Sequence, residues 1–287
     1  MGQIVGAAIV SHHPGLMQTD EFRLKVGAGR DSDLIAGYRR LRDRIDDVKP
    51  DVLLIFDTHW FTTGFHLLDA GTHYKGTYTS DEMPWYLHGQ DYDYRGAPEL
   101  AHLIQSVAEE QGVPAKAVDA PSMARHYSTI NVVKQLKASE KILTASTCQN
   151  CRPHNFLAMG KAIGEAIRRS DQRVVLLASG ALSHKFTDID FKQKSDRVFD
   201  VANLSSEANH KSDLEAIELF SQGRHDEILR RFPDEYARIP WEGFGGHYLQ
   251  LVGALGGPEC RAKGEALSEY ENARGTGNIH IWFGVEA

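Results

Sequence analysis

Short apolar runs along the chain predict buried strands, and helical spacings between them predict helices. Residues 4–10 and 52–56 are apolar runs of a length typical of strands buried on both faces. Between them, apolar residues recur at spacings of four, three, four and three from Leu34 to Val48, which is the pattern of one helix face, and Pro50 ends that helix. Strand, helix and strand in this order predict a βαβ unit.

The alternation continues toward the C-terminus. The predicted elements are helices over 98–111 and 155–169, strands over 142–146, 174–178 and 278–283, and a largely helical segment over about 191–232. Residues 66–94 are rich in Gly, Thr, Tyr and Asp, so we predict one short strand near Leu67 and Leu68 and otherwise an irregular lid or rim. We therefore expect a single α/β domain over residues 1–287, with a mainly parallel central sheet flanked by helices.

Charge and composition exclude several classes of function. The 287-residue chain carries 39 acidic and 32 basic side chains, a formal net charge of −7, and no run of like charge, so neither nucleic acid nor a membrane surface is an expected partner. Three cysteines are too few for a disulfide framework. The sequence shows no signal-peptide pattern and no apolar stretch of the ~18 residues that span a bilayer, so we expect a cytoplasmic location.

Histidine is the residue type that points to chemistry, with 14 in the chain. Three of the predicted strands are each followed closely by a histidine: His12 or His13, His59, and His184. In open α/β sheets ligands bind at the carboxyl ends of the strands, so these loops should converge there on one active site. Converging imidazoles favour a metal site, although any one of these histidines taken alone is more often a core or surface residue.

The metal hypothesis needs a third ligand and a choice between adjacent histidines. Successive side chains of a strand face opposite sides, so at most one of His12 and His13 can point into the site. A divalent metal bound by two imidazoles commonly takes a carboxylate as third ligand, which leaves open positions for substrate and oxygen. Glu242 is the best candidate because it lies among glycines and aromatic residues. Its alternative role is an acid near the N-terminus of the following helix.

The ordered set of short motifs resembles the LigB family of class III extradiol ring-cleaving dioxygenases, and within it the single-chain enzymes acting on 3,4-dihydroxyphenylacetate (homoprotocatechuate). The resemblance covers nearly the whole chain. The motifs that carry it are Ser11-His12-His13-Pro14, Asp57-Thr58-His59-Trp60, Ser179 to His184 and Trp241-Glu242-Gly243, with supporting segments at 76–80, 98–100 and 275–277.

The resemblance implies a metal centre and a reaction. It implies Fe(II), with Mn(II) as a possible substitute, bound by His12, His59 and Glu242, and it favours His12 over His13. His184 matches the family's acid/base histidine. The implied substrates are a small catechol and O2, the implied product is a muconic semialdehyde, and relatives of this type assemble as homo-oligomers.

One segment departs from the family pattern. Many members have Asp-His-Gly-Thr within the segment that reads Arg125-His126-Tyr127-Ser128-Thr129 in this chain. Aligning the following Ser-Thr with the family's Gly-Thr places Tyr127, instead of His126, at the second histidine position. Both residues are therefore candidate catalytic groups.

Several other residues are candidates for substrate binding. An acidic side arm on the catechol would need a cation, which Arg125 or Arg152 can supply, and an apolar wall for the ring can come from Trp60. The remaining candidates are His13, His154 and His247, the last also as an outer partner of a metal ligand. The C-x-x-C pair Cys148 and Cys151 lacks a second ligand pair, which argues against a zinc site.

Three alternatives to cleavage of a homoprotocatechuate-like catechol are compatible with the sequence. The same chemistry can act on a 2-aminophenol or another substituted catechol. A non-catalytic binding protein of the Memo type would use the same fold without needing an open metal face. A zinc hydrolase would use the same two histidines and one glutamate.

Overall fold

The long apolar runs of the sequence form the centre of one sheet. The computed structural model describes residues 1–204 and 206–285. The strands are β1 (Gln3–Val10), β2 (Val52–Thr62), β3 (His66–Asp69), β4 (His73–Tyr78), β5 (Gln90–Arg95), β6 (Ala115–Val118), β7 (Lys141–Cys148), β8 (Arg173–Ser179), β9 (Gly264–Ala266), β10 (Glu271–Ala273), β11 (Thr276–Asn278) and β12 (Ile281–Phe283). The helices are α1 (Asp20–Val26), α2 (Asp33–Val48), α3 (Pro98–Glu110), α4 (Tyr127–Leu136), α5 (Pro153–Arg169), α6 (Glu207–Ser221), α7 (His225–Arg231), α8 (Glu235–Arg238) and α9 (Gly246–Ala254).

Within the described residues, the main sheet has the strand order β6-β3-β7-β2-β8-β1-β12-β9. The central strands β7, β2, β8 and β1 run parallel, whereas β12 and β9 add antiparallel strands at one edge and β3 meets β7 in the antiparallel sense. This confirms the predicted α/β class with a mainly parallel sheet.

Each described helix is too short or too polar to cross a bilayer.

Strand β2 is buried on both faces and divides the core into two layers. Leu54 and Phe56 pack on the side of α3, α5 and α9, whereas Leu53 and Ile55 pack on the side of α2 and α4. A strand covered on both faces has no polar side to alternate, which is why its sequence is a continuous apolar run. The same covering leaves the carboxyl ends of the central strands as the place where polar loops can meet.

Strand β2 does not end at Asp57, as the sequence had suggested. It continues to Thr62, but its register with β7 slips between Phe56 and Phe61. Such a bulge re-aims the side chains that it contains. His59 therefore belongs to an irregular stretch inside a strand instead of the loop that follows one.

Other predicted elements also need correction. Residues 66–94 contain the predicted short strand, but the rest is not simply irregular, because β4 and β5 pair as an antiparallel hairpin. In the segment 191–232, long helices begin only at Glu207, and residue 205 lies outside the described residues, as do 286–287 of the predicted domain. The predicted strand 278–283 is divided between β11 and β12.

Helices α5 and α9 pack closely because glycines face each other across their contact. A Cβ atom added at Gly160 would lie 2.1 Å from the carbonyl oxygen of Gln250, and one added at Gly253 would lie 2.5 Å from that of Leu157. Both are far inside van der Waals contact, so a side chain here would push the two helices apart. Because α9 follows Glu242 by four residues, this packing also sets where Glu242 lies.

We expect Gly160→Ala to lower the free energy of unfolding by about 1–3 kcal/mol, since the added methyl group overpacks the helix contact. Helix propensity alone would give the opposite sign, because Ala is favoured over Gly by up to about 1 kcal/mol in a helix. Urea unfolding followed by circular dichroism measures the change. The control Lys161→Ala, at an exposed neighbouring position, should stay within about 0.5 kcal/mol of wild type. A stabilised Gly160→Ala variant would contradict the close-packing account.

Candidate metal centre

Three side chains from distant parts of the chain meet at the carboxyl ends of the central strands. His12 follows β1, His59 lies in the bulge of β2, and Glu242 lies in the turn before α9. One carboxylate oxygen, Glu242 Oε1, lies 3.1 Å from His12 Nε2 and 3.1 Å from His59 Nε2. One ligand atom from each of the three residues lies within 4.8 Å of the others. The structure thus brings together the three residues predicted to bind a metal.

The arrangement of these three donors fits a divalent ion. Neighbouring ligands at right angles, each about 2.1 Å from one ion, are separated by about 3 Å, which matches both contacts of Glu242. Burial acts to raise the pKa of Glu242, but the nearby imidazoles of His12 and His184 hold it well below its ordinary value. The carboxylate is therefore ionised, as a ligand must be.

Ser179 fixes the tautomer of His12. The Ser179 hydroxyl donates to the carbonyl oxygen of Ser128 (3.1 Å), so at its 2.9 Å contact with His12 Nδ1 the oxygen accepts. His12 Nδ1 therefore carries the proton, and its Nε2 presents a lone pair to the site. Asn131 donates to the main-chain oxygen of His12 (2.8 Å), which anchors the residue after its strand has ended.

Asp57 shapes the bulge that presents His59. Its Oδ1 accepts the main-chain N–H groups of His59 and Trp60, both at 2.8 Å, and its Oδ2 accepts the hydroxyl of Thr129 at 2.6 Å. Burial acts to raise the pKa of Asp57, but the nearby His126 and the hydroxyl donors hold it below its ordinary value. A charged, fully satisfied carboxylate thus takes up the donors that the irregular strand leaves unpaired.

His59 is also held through its side chain. Its Nδ1 lies 3.8 Å from Glu82 Oε1, and Tyr127 Oη lies 2.8 Å from its Nε2. Burial acts to lower the pKa of His59, but Glu242 and Glu82 raise it to about 10. A carboxylate beyond a metal-binding imidazole is a common way to orient the ring.

A strained turn places Glu242. Gly243, Phe244 and Gly245 have φ values of 54°, 61° and 69°, so three successive residues adopt the left-handed conformation that disfavours side chains. Glu242 Oε2 accepts the N–H of Ala181 at 2.6 Å, and Oε1 accepts the Thr58 hydroxyl at 3.0 Å. Because both oxygens are engaged in this way, the alternative role of Glu242 as an acid for the helix α9 finds no support.

His184 lies at the edge of the three donors, with its Nε2 4.0 Å from Glu242 Oε1. Its main-chain N–H donates to Pro240 (2.8 Å), which links the His184 segment to the Glu242 segment. The preceding Ser183 donates through both its N–H (2.9 Å) and its hydroxyl (2.7 Å) to Asp213, a buried carboxylate on α6. The helical segment therefore fixes the main chain next to His184.

A cavity of about 410 Å³ opens beside the donors on the side of His59 and Tyr127. His126 and Arg125 also line it. Burial lowers the pKa of His126, so this imidazole is neutral near pH 7, and burial raises the pKa of Tyr127 well above its ordinary value. Of the two alternative catalytic candidates, Tyr127 contacts His59, whereas His126 forms part of the cavity wall.

Other residues predicted from sequence lie elsewhere. His13 accepts the N–H of Gly15 at 3.0 Å and packs on Phe199, so it is turned to the adjacent 3-10 helix Pro14–Met17. Trp60 is buried, Arg152 and His154 are exposed at the start of α5, and none of these three is among the residues that line the cavity. This placement gives Arg152 and His154 no contact with the donor set.

His247 is fully buried on α9, close to Gly180. Both of its ring nitrogens lack a hydrogen-bond partner within the described structure, and burial lowers its pKa to about 4. It is therefore a neutral imidazole behind the donor set.

Sequence reasoning missed several residues that hold the donors. Thr58 and Ser179 lie inside the motifs that were singled out, so their positions were visible but their hydrogen bonds were not. Asn131, Glu82 and Asp213 come from a helix, a hairpin connection and a distant helix, and no local pattern marks them.

Comparison with known proteins adds to this geometry. Residues 6–284 match the family described as "Catalytic LigB subunit of aromatic ring-opening dioxygenase". The chain belongs to the LigB family. This LigB protein is 29% identical over 272 residues to 3,4-dihydroxyphenylacetate 2,3-dioxygenase of Escherichia coli, covering 93% of this chain and 96% of that enzyme. It is 28% identical over 301 residues to the 2-aminophenol 1,6-dioxygenase beta subunit of a Pseudomonas species, covering 100% of this chain and 96% of that subunit.

A solved structure shares the fold. The crystal structure of the uncharacterized protein JW3007 from Escherichia coli K12 matches with a TM-score of 0.66 at 14% identity, covering 98% of this chain and all of that one.

The LigB chain is an extradiol ring-cleaving dioxygenase, and such LigB enzymes depend on a metal. The alternatives of a non-catalytic binding protein and of a zinc hydrolase are thereby set aside.

We expect Asp57→Ala to weaken metal binding by about 10- to 100-fold, the range found when outer partners of metal ligands are removed. The reason is that the N–H groups of His59 and Trp60 lose their acceptor, so His59 is no longer held toward the other donors. Asp57→Asn keeps an oxygen for these groups and should retain most of the affinity. Titration of the metal-free variants with Fe(II) under nitrogen measures both. Equal losses in the two variants would contradict this positioning role.

Proposed function

We propose that this LigB enzyme uses Fe(II) and O2 to cleave the ring of a monocyclic catechol, giving a muconic semialdehyde that contains both oxygen atoms. The observation that carries the proposal is the meeting of His12 Nε2, His59 Nε2 and Glu242 Oε1 at one point, with His184 4.0 Å away. Two imidazoles and one carboxylate are the ligands expected of a non-haem Fe(II) oxygenase, and His59, whose pKa is raised, would release its ring proton as the metal binds. 3,4-Dihydroxyphenylacetate is the reference compound for the ring.

His12, His59 and Glu242 would bind the metal from one side and leave its other side open toward the cavity. When bound, Fe(II) supplies adjacent positions for both ring oxygens and O2 and a path for electrons between them. Mn(II) suits the same ligands. The protein contributes the fixed positions of its donors, which Ser179, Asp57 and Ala181 hold by hydrogen bonds.

His184 is proposed as the group that moves protons. A catechol must lose a proton to bind through both oxygens, and an imidazole takes up and returns protons near neutral pH. His184 is half-buried, next to the donor set, and its main chain is fixed by Pro240 and by Asp213 through Ser183. Tyr127, whose hydroxyl points at His59 Nε2, is proposed to orient the substrate oxygens by hydrogen bonding.

A second candidate substrate is a 2-aminophenol, because one relative of nearly full coverage is named for that substrate. An amino group next to a hydroxyl can bind one metal through the same two adjacent positions.

Assembly into a homo-oligomer and a cytoplasmic location stay predictions.

The proposed activity is tested with the enzyme purified without oxygen and loaded with Fe(II). We expect 3,4-dihydroxyphenylacetate, 4-ethylcatechol or 2-aminophenol to cause uptake of about one O2 per substrate consumed, together with a yellow ring-opened product. An oxygen electrode and absorption spectra follow the two signals. Heat-denatured enzyme with the same iron is the control for free metal. Absence of uptake with the whole panel would refute the proposed function.

The two proposed roles separate in paired variants. Glu242→Ala should lose Fe(II), because two imidazoles remain without their carboxylate partner. His184→Ala should keep its iron and lose kcat by about 10²- to 10⁴-fold, the usual contribution of a proton-transferring group. Iron content by mass spectrometry and oxygen uptake measure these effects. The control is His154→Ala at an exposed position, which should match wild type in iron content and turnover. Normal turnover of His184→Ala would contradict the proposed proton-transfer role of His184.

A further inference from the structure

The cavity beside the metal donors carries two carboxylates at its rim. Asp81 and Glu82 lie in the connection between β4 and β5, both are exposed, and both line the cavity together with His59 and Tyr127. Glu82 Oε1 lies 3.8 Å from His59 Nδ1, so this negative charge is close to the donor set. Within the described residues, neither carboxylate pairs with a lysine or an arginine. Asp81 makes no ion pair among the described residues and Glu82 contacts only the imidazole of His59, so the rim is negatively charged.

Positive charge in the same cavity is already neutralised. Arg125 is the one lining residue with a permanent positive charge among those described, and it forms a buried ion pair with Asp69. The ring of Tyr74 lies 4.3 Å from the Arg125 guanidinium, and the Tyr74 hydroxyl donates to Asp69. Removing Arg125 from this closed group to bind an anion would leave the buried Asp69 without its partner, which is costly.

The other groups facing the cavity do not restore positive charge. His126 is neutral near pH 7 because burial lowers its pKa. The remaining wall is made of hydroxyl, aromatic and thioether side chains, among them Thr77, Tyr92 and Met123. Arg152, the second cation considered from the sequence, is not part of the lining. When only fixed charges are counted, the carboxylates of Asp81 and Glu82 make the net charge of the rim negative.

We infer that this enzyme selects catechols whose ring substituent is neutral or cationic, and that Asp81 and Glu82 discriminate against an anionic arm. The inference rests on the proposed function and differs from the 3,4-dihydroxyphenylacetate preference that the sequence resemblance implied. The physical basis is Coulombic. The carboxylates at the partly exposed rim repel a substrate carboxylate and weaken its binding, whereas they attract an ammonium group and strengthen its binding.

The test compares three ligands with the same catechol ring and similar arms: dopamine (cationic), 4-ethylcatechol (neutral) and 3,4-dihydroxyphenylacetate (anionic). Their dissociation constants are measured without oxygen on the Fe(II)-loaded enzyme, and their KM values with oxygen. We expect dopamine to bind roughly tenfold more tightly than 3,4-dihydroxyphenylacetate, with 4-ethylcatechol between them, since each exposed carboxylate contributes about threefold. Raising the salt concentration to about 0.5 M should reduce this ratio, because the charges are exposed.

Substitutions of Asp81 and Glu82 test whether these two carboxylates cause the preference for a cationic or neutral substrate arm. Asp81→Asn should reduce the dopamine to 3,4-dihydroxyphenylacetate ratio by about threefold, and the double variant with Glu82→Gln should nearly abolish it. Metal content is checked in the double variant because Glu82 lies near His59. The control is Asp171→Asn, which removes an exposed carboxylate before β8, at the opposite end of the strands, and should leave the ratio unchanged.

The outcomes separate this inference from the proposed function. Cleavage of these catechols with the anionic arm bound as tightly as the neutral one would overturn the inference and leave the proposed function standing. A ratio that neither salt nor the double variant changes would overturn the assignment to Asp81 and Glu82. Failure of all three compounds to be cleaved would refute the proposed function and this inference together.

Discussion

The site depends on one oxygen atom, Glu242 Oε1, that lies 3.1 Å from two imidazole nitrogens inside the protein. A buried carboxylate is unfavourable unless it is matched by donors or by positive charge. Here its second oxygen accepts a main-chain N–H, and its first accepts the Thr58 hydroxyl beside the two histidines. The left-handed turn after Glu242, the bulge in β2 and the glycine contact of α5 with α9 all serve to keep this carboxylate in place.

The supporting residues around the donors follow a simple logic. Each of the three candidate ligands has a neighbour on its far side: the Ser179 hydroxyl bonds His12, the Ala181 N–H bonds Glu242, and the Glu82 carboxylate lies 3.8 Å from His59. Two of these partners belong to the rigid sheet or the segment directly after it, whereas Glu82 belongs to the connection of a two-stranded hairpin. The His59 side of the site is therefore the side that depends on an exposed connection instead of the sheet.

Sequence patterns predicted the core of the fold well because the central strands are covered on both faces and are plain apolar runs. The histidines that follow them could be placed together from topology alone, the setting of Glu242 among glycines and aromatic residues made it the best carboxylate candidate, and motif resemblance chose His12. Three features escaped prediction for physical reasons. The β2 bulge depends on Asp57 side-chain bonds, and the alternating tyrosines of the β4–β5 hairpin lie among Gly, Thr and Asp residues that are also typical of irregular structure. The neutralisation of Arg125 requires Asp69 and Tyr74 to be near in space.

The separation of the donors along the chain has a consequence for biosynthesis. His12 and Glu242 are 230 positions apart, and Glu242 is held by the segment 181–185, which in turn bonds to Gly275 and Gly277. A chain emerging from the ribosome exposes both histidines long before their carboxylate partner exists. Such long-range contacts form late in folding. The nascent chain consequently has no complete set of the three candidate ligands until residue 242 has been synthesised.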